Sequence, residues 1–355
     1  MAIRGPRPPW NYLLAACVAI ILLFVLVRNH DTVGKQFRQH QDWSLIPPLQ
    51  KTTAKNAYAT FLANWPEEHL DDEMNDDAYF VAARLLAYQL LHAPETRSVG
   101  GYPLVVLVNA HVSAEKRERL AKDGAVVWEP EPVDGKWIHN AHVGTWEYVM
   151  TKLRIWELTQ FDKICFLDAD TILFQPLDGV FDDPAAQFQT PTVGNDTLLP
   201  PSYIMAGTPE LKSPHHHWPP LPNETHAHYM NAGFFVTQPS LQLLQHYLSF
   251  TATPHVFSPD MPEQNLLNHV HGQEGRMPWK ALDARWNTHS ASVADWRGGV
   301  VSMHTHYWDG MMTMTEDGDG EDGDGGGWEM KRVFWSWRGR MEGFWEGMEG
   351  TGGWR

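Results

Sequence analysis

"ICFLDADTILF", residues 164–174, is the stretch on which the fold turns. Ile164, Cys165, Phe166 and Leu167 make a continuous apolar run of the kind buried on both faces of a parallel sheet. Asp168, Ala169 and Asp170 end it. The chain holds 43 acidic residues in 355, so acidic triplets recur by chance and the spacing alone decides little. The setting decides, because the carboxyl end of a core strand is where such sheets bind ligands. In an extended segment side chains two apart point the same way, so both carboxylates are expected to face one hard cation. A turn with capping aspartates is the competing reading.

Working outward from this strand, the preceding segments alternate. "NAYATFLA" (56–63), "PLVVLV" (103–108) and "AVVWEP" (125–130) read as strands. "DDAYFVAARLLAYQLL" (76–91) has helical spacing behind an aspartate. "SAEKRERLAKDG" (113–124) is a helix with Ser113 as its cap and Gly124 as its stop. "WEYVMTKLRIWELTQF" (146–161) reads as a third helix. This alternation predicts an α/β fold with a mostly parallel sheet, and Asp168-Ala169-Asp170 falls at the end of its fourth strand. The first strand is not followed by G-x-G-x-x-G, and the chain has no G-x-x-x-x-G-K-[ST], so dinucleotide-binding and P-loop readings lose their main support.

The net charge of -16, without a Lys/Arg cluster, argues against a nucleic-acid partner. Two cysteines, Cys17 and Cys165, provide no disulfide framework. At the other extreme of polarity, Leu13 to Val27 is uncharged and Trp10 and Tyr12 sit at its edge, as expected of a membrane span over residues 10–27. Arg4, Arg7 and the terminal amine precede it and Arg28 follows. The positive-inside rule therefore predicts an uncleaved signal anchor with residues 1–9 in the cytoplasm and everything after the span lumenal. Two sequons, at Asn195 and Asn223, agree with that side of the membrane. Residues 28–55 read as a stem.

"FDKICFLDADTILFQPLDGVFDD" (161–183) resembles the core motif of glycosyltransferase family 8, which includes glycogenin and galactinol synthase, and especially its fungal Golgi members. "TKLRIWELTQ" (151–160), "YMNAGFFVTQPS" (229–240), "PEQNLLN" (262–268), "RWN" (285–287) and "VVSMHTHYWDG" (300–310) match in order. The resemblance covers roughly residues 56–310. It implies a GT-A fold and transfer of a sugar from a UDP donor, with retention at the anomeric carbon and with Mn²⁺.

By position, the resemblance implies that Asp168, Asp170 and His304 hold the metal, with Ala169 among the donor-binding residues. It places Tyr79 on the uracil and Thr60, Phe61 and Leu62 along the base site. Lys152 belongs near the donor phosphates or sugar, and Asn231, Ala232 and Gly233 form a sugar-facing turn. Glu263 and Gln264 match an Asp-Gln pair close to the anomeric carbon, and Asp260 stands where related chains carry another acid. Two positions depart from the pattern: Glu263 is longer than the usual Asp, and His306 stands where a lysine is common.

The expected activity is a retaining, Mn²⁺-dependent transfer from a UDP donor, UDP-N-acetylglucosamine first, to a glycan or glycoprotein in the Golgi lumen. A glycogenin-like self-glucosylating enzyme and a non-catalytic glycan-binding protein of the same fold are the alternatives. Two segments are expected to stay outside the machinery. The tract His215-His216-His217 reads as an exposed insertion, and residues 311–355, rich in Gly, Trp, Met, Glu and Arg, read as a low-complexity, disordered tail.

Overall fold

The computed structural model describes residues 53–64, 77–133, 136–139, 148–192, 199–213, 215–304 and 326–350. The expected membrane span, most of the stem, Asn195 and His306 lie outside them. Among the described residues no helix is long and apolar enough to cross a membrane.

The first half of the domain follows its local sequence closely. Strand β1 (Asn56–Leu62) leads to α1 (Ala78–Leu91), whose N-cap Asp77 accepts the Phe80 amide at 3.0 Å. Every residue of β2 (Leu104–Val108) is buried, as an unbroken aliphatic run requires. Ser113 caps α2 (Ala114–Lys122) by accepting from the Lys116 amide, and Gly124 stops it at φ +96°. Then come β3 (Val126–Trp128) and β4 (Lys163–Leu167).

Between β3 and β4 the expected helix is instead a run of 3-10 turns, Val149–Glu157. Seven of its nine residues are buried and Arg154 and Glu157 alone are partly exposed, so it has little solvent face to favour the amphipathic α period, and packing overrides propensity.

The main sheet has seven strands in the order β3-β2-β1-β4-β7-β6-β8. β3, β2, β1 and β4 run parallel; β4 then pairs antiparallel with β7 (Thr225–Thr237) and β7 antiparallel with β6 (Met205–Leu211). A short β8 (Lys280–Ala281) closes the far edge. From β1 the chain moves out to β2 and β3, then returns to the opposite side of β1 as β4. The crevice above the carboxyl ends of β1 and β4 is therefore a topological switch point.

The opening stretch proves to be two strands in two sheets. After Leu167 the chain turns, the Thr171 amide donating to the Asp168 carbonyl, and β5 (Thr171–Leu173) joins a three-stranded sheet in the order β5-β10-β9. Here β9 is Asn287–His289 and β10 is Ser302–His304. The acidic triplet thus sits on the joint between sheets.

Leu167, Cys165 and Val236 of the main sheet pack with Leu86 and Leu90 of α1 in the larger core. Each such side chain contributes about 1.5–3 kcal/mol on burial. Helices α3 (Leu241–Thr251) and α4 (Pro262–Val270) follow β7, and α5 (Val293–Arg297) lies between β9 and β10.

The expected disordered tail contains a helix, α6 (Gly326–Gly350). Phe334, Trp337, Met341 and Trp345 recur at spacings of three and four and are buried against Val81, Leu85 and Tyr88 of α1 and Val293 of α5. Composition hid this period, since the interleaved glycines Gly339, Gly343 and Gly347 have none of the described residues within 4 Å of where a Cβ would stand. Arg340 pairs with Glu95 and Arg119 with Glu349, tying the helix to the segments beside it.

The histidine tract also differs from expectation. His216 is buried against Asp295 of α5 at 3.0 Å, while the exposed His217 pairs with Glu224 at 2.6 Å. The two rings diverge, so the tract pins the β6–β7 connection to α5.

Candidate active site

The turn after β4 presents Asp168 and Asp170, and strand register supplies their partner. His304 ends β10 directly opposite Thr171 of β5. Its Nε2 lies 3.2 Å from Asp170 Oδ1 and 3.6 Å from Asp168 Oδ2. Among the described residues this is the one group of three acidic or histidine side chains whose ligand atoms converge, all within 4.8 Å of one another. Convergence comes from the turn and the neighbouring sheet, not from the alternation of an extended strand.

Gly233 is part of the same construction. A Cβ at this position would overlap the His304 imidazole, so only glycine admits the ring. Asn231, Ala232 and Gly233 lie within β7, where the expectation was a turn. The Gly233 carbonyl accepts the Asp168 amide at 2.8 Å, which fixes the start of the acidic turn against β7.

Lys152, from the 3-10 run, is nearly buried and donates to Asp168 Oδ1 at 2.7 Å and to Glu263 Oε1 at 3.1 Å. Burial works to lower its pKa, and the two carboxylates more than offset that, leaving it above the ordinary lysine value. Burial likewise opposes the proton on His304, yet Asp170 and then Asp168 hold its pKa up to about 9, with Lys152 pulling the other way. Glu263, in the first turn of α4, keeps its Oε2 buried with no partner among the described residues, and His304 Nδ1 is in the same condition.

Helix α4 is stitched to β7 by side-chain amides. Gln264 Oε1 accepts the Ala232 amide at 2.8 Å, and Asn268 both accepts from Met230 N and donates to Met230 O. The aligned acids and amides of "PEQNLLN" are thereby brought against "YMNAG".

Not every expected residue joins this cluster. Asp260 is exposed on the loop before α4, where Ser258 Oγ donates to it at 2.8 Å. The Leu62 and Ala169 side chains belong to the apolar core, so neither offers its side chain to a ligand. Thr60 is fully buried, its hydroxyl without a partner among the described residues, Phe61 is half-buried, and Tyr79 is 44% exposed on the first turn of α1.

Two residues went unread in the sequence. Glu210, on β6, accepts from Asn231 Nδ2 at 2.9 Å and from Gln264 Nε2 at 3.1 Å, and lies 2.8 Å from His289 Nε2. No motif marks Glu210 in "GTPELKSP". His289 carried a faint signal, standing two residues after Asn287 of "RWN" and so on the same strand face.

The donor set tests whether a divalent cation fits. Two carboxylates and an imidazole are hard-to-borderline ligands suited to Mn²⁺, and the buried His304 Nδ1 and Glu263 Oε2 leave polar capacity beside them. The residues fit such an ion.

A mostly parallel sheet that carries an acidic turn and a histidine at its switch point is the architecture of GT-A glycosyltransferases, and fold and site place the molecule in that class. Within it, the chain belongs to glycosyltransferase family 8, since the model described as Glycosyl transferase family 8 matches residues 75–298.

Two uncharacterized proteins of Schizosaccharomyces pombe are similar to it. One is 28% identical over 85% of this chain and 88% of its own length; the other is 30% identical over 59% and 63%. Galactinol synthase 2 of Ajuga reptans is 34% identical over 48% of this chain and 60% of that protein. The chain thus spans less than two thirds of two of these three relatives. Mouse xyloside xylosyltransferase 1 aligns in three dimensions over 70% of this chain and 97% of that one, with a TM-score of 0.42 and 15% identity. A likeness at that level speaks to neither substrate nor mechanism.

Proposed function

We propose that this protein is a retaining glycosyltransferase that moves a sugar, N-acetylglucosamine first among candidates, from a UDP donor to a glycan or glycoprotein hydroxyl. We place it in the Golgi lumen, anchored through residues 10–27. The observation that carries the reading is the convergence of Asp168, Asp170 and His304 at the switch point, within reach of Lys152 and Glu263. A bound Mn²⁺ would supply Lewis-acid stabilisation of the departing diphosphate.

The chain's own groups do the rest. Lys152 holds a positive charge beside Asp168, where negative charge develops on the leaving group. Glu263 Oε2, buried and without a partner among the described residues, is an acceptor for a sugar hydroxyl. Asn231 keeps an N–H donor at the same wall, and Gln264 has a second one that meets only the weak acceptor Met261 Sδ. Tyr79, exposed at the start of α1, offers a face for the base. The apolar N-terminal span, its flanking arginines and the exposed sequon at Asn223 support the lumenal placement.

The galactinol synthase relatives make galactinol formation the second reaction to assay. The test is UDP release and sugar transfer by the full chain across a panel of UDP-sugars, with Mn²⁺ or EDTA, beside Asp170→Asn. Metal-dependent release from one donor, lowered at least about hundredfold by the substitution, is the expected result. Well-folded protein that releases UDP from none of them, with any acceptor, would overturn the reading.

A further inference from the structure

We infer that Glu210 is the positioning residue of the sugar subsite, its carboxylate holding the side-chain amides of Asn231 and Gln264 in a single orientation toward the donor. The inference rests on the reading that those two residues face the donor sugar.

A side-chain amide has a donor end and an acceptor end, and presents the wrong chemistry if it flips. Both amides here are held at both ends. Asn231 Oδ1 accepts the Gly233 amide at 2.9 Å and its Nδ2 donates to Glu210 Oε2 at 2.9 Å. Gln264 Oε1 accepts the Ala232 amide at 2.8 Å and its Nε2 donates to the same Glu210 oxygen at 3.1 Å. The backbone of β7 fixes the carbonyl ends, and Glu210 fixes the nitrogen ends. The Asn231 NH₂ keeps one hydrogen for another partner, and the second hydrogen of Gln264 faces the weak acceptor Met261 Sδ at 3.5 Å.

The backbone shows how Glu210 comes to lie there. The β6–β7 pairing shifts register between Gly207 and Pro209 and again between Pro209 and Glu210. Irregularities of this kind re-aim a side chain, and a proline inside a strand is at home only at such a place or at an edge.

The other Glu210 oxygen lies 2.8 Å from His289 Nε2, and the Leu211 amide approaches the same nitrogen at 2.9 Å. One ring nitrogen serves one of the two at a time, and the charge-assisted bond to the carboxylate is the stronger. His289 stands at the register of His304 on the adjacent strand, so the tie from Glu210 ends beside a metal-ligand candidate. Three donors on β7, α4 and β9 thus share one carboxylate.

The experiment compares Glu210→Ala and Glu210→Gln with the unaltered full chain. Three quantities are read: Mn²⁺–UDP affinity, kcat and KM for the UDP-sugar, and water exchange of the Asn231 and Gln264 side-chain amides by NMR. Glu210→Ala is expected to keep Mn²⁺–UDP affinity, to lose about 10- to 100-fold in kcat/KM and to expose both amides to rapid exchange. Glu210→Gln, whose carbonyl accepts the same two N–H groups, recovers most of that loss.

Folded Glu210→Ala with unchanged kcat/KM and unchanged amide exchange overturns the inference. So does Glu210→Gln as impaired as the alanine variant, because charge and not orientation would then be at work. If the unaltered chain turns over no donor, the proposed function falls, while the amide signals still decide the role of Glu210. If Glu210→Ala does not fold, rapid exchange of the two amides in the unaltered chain is the overturning result, and protected amides that Glu210→Gln preserves are the supporting one.

Discussion

A methyl group at position 233 would stand where the His304 ring now lies. Gly233→Ala is therefore expected to displace that ring and weaken Mn²⁺ binding by about 10- to 100-fold, with the fold retained, as titration followed by electron paramagnetic resonance would show. His304 sets the pH response of the same site. Its pKa of about 9 in the metal-free protein means that the ring carries a proton at neutral pH and must lose it to bind a cation. Mn²⁺ affinity should accordingly rise with pH, by up to about tenfold per unit, and level off near pH 9; calorimetric titrations at pH 6, 7, 8 and 9 would check the slope and its end.

In the metal-free chain the same raised pKa stabilises the fold below the unfolded value of about 6.5 and fades as pH climbs through 9. At this scale the sequence revealed Asp168 and Asp170, because both lie in one short motif. Glu210 and His289 stayed hidden because their partners come from strands and helices far along the chain, and no local spacing records that meeting.

Helix α6 shows what periodicity reads and composition conceals. Trp337 is 8% exposed within the cluster under α1, whereas Trp335, two residues earlier, is 55% exposed on the outer side. Trp337→Ala is expected to cost about 3–5 kcal/mol and Trp335→Ala less than about 1 kcal/mol, measured by denaturant unfolding. The strands and capped helices before β4 were legible for a physical reason: aliphatic runs, Asp77, Ser113 and Gly124 act on their immediate neighbours. The 3-10 run at Val149–Glu157 was not, because its shape follows from burial of seven of its nine residues, and burial is a tertiary fact. Nor could "TILF" be seen to leave the main sheet. Its partners, β10 and β9, arrive more than a hundred residues later.

At the scale of the whole molecule, the half of the sheet beyond β4 is secured by a buried histidine. His271, at the end of α4, lies 2.6 Å from the Met277 carbonyl through Nδ1 and 2.6 Å from the Tyr247 hydroxyl of α3 through Nε2. The carbonyl only accepts, so Nδ1 carries a hydrogen, and in the neutral ring Nε2 accepts from the Tyr247 hydroxyl. Burial presses its pKa down to about 4. The unfolded chain binds this proton below about pH 6.5 and the folded one does not, so stability falls as pH drops from 6.5 toward 4 and is indifferent to this group above that window. Denaturant midpoints at pH 7, 6 and 5 should decline, and His271→Gln should flatten the decline.

The packing of α6 onto α1 has a consequence for how the protein is made. Synthesis runs from the N-terminus, so α1 leaves the ribosome more than two hundred residues ahead of α6, the helix that covers its outer face. At typical rates that interval is roughly 10 to 50 seconds. Throughout it Val81, Leu85 and Tyr88 lack the helix that covers them, and Ile172 of β5 and Met303 of β10 join them as those strands are made. The nascent chain is sticky for as long as α6 is unmade, and the apolar side of the newborn site's second sheet waits on that helix.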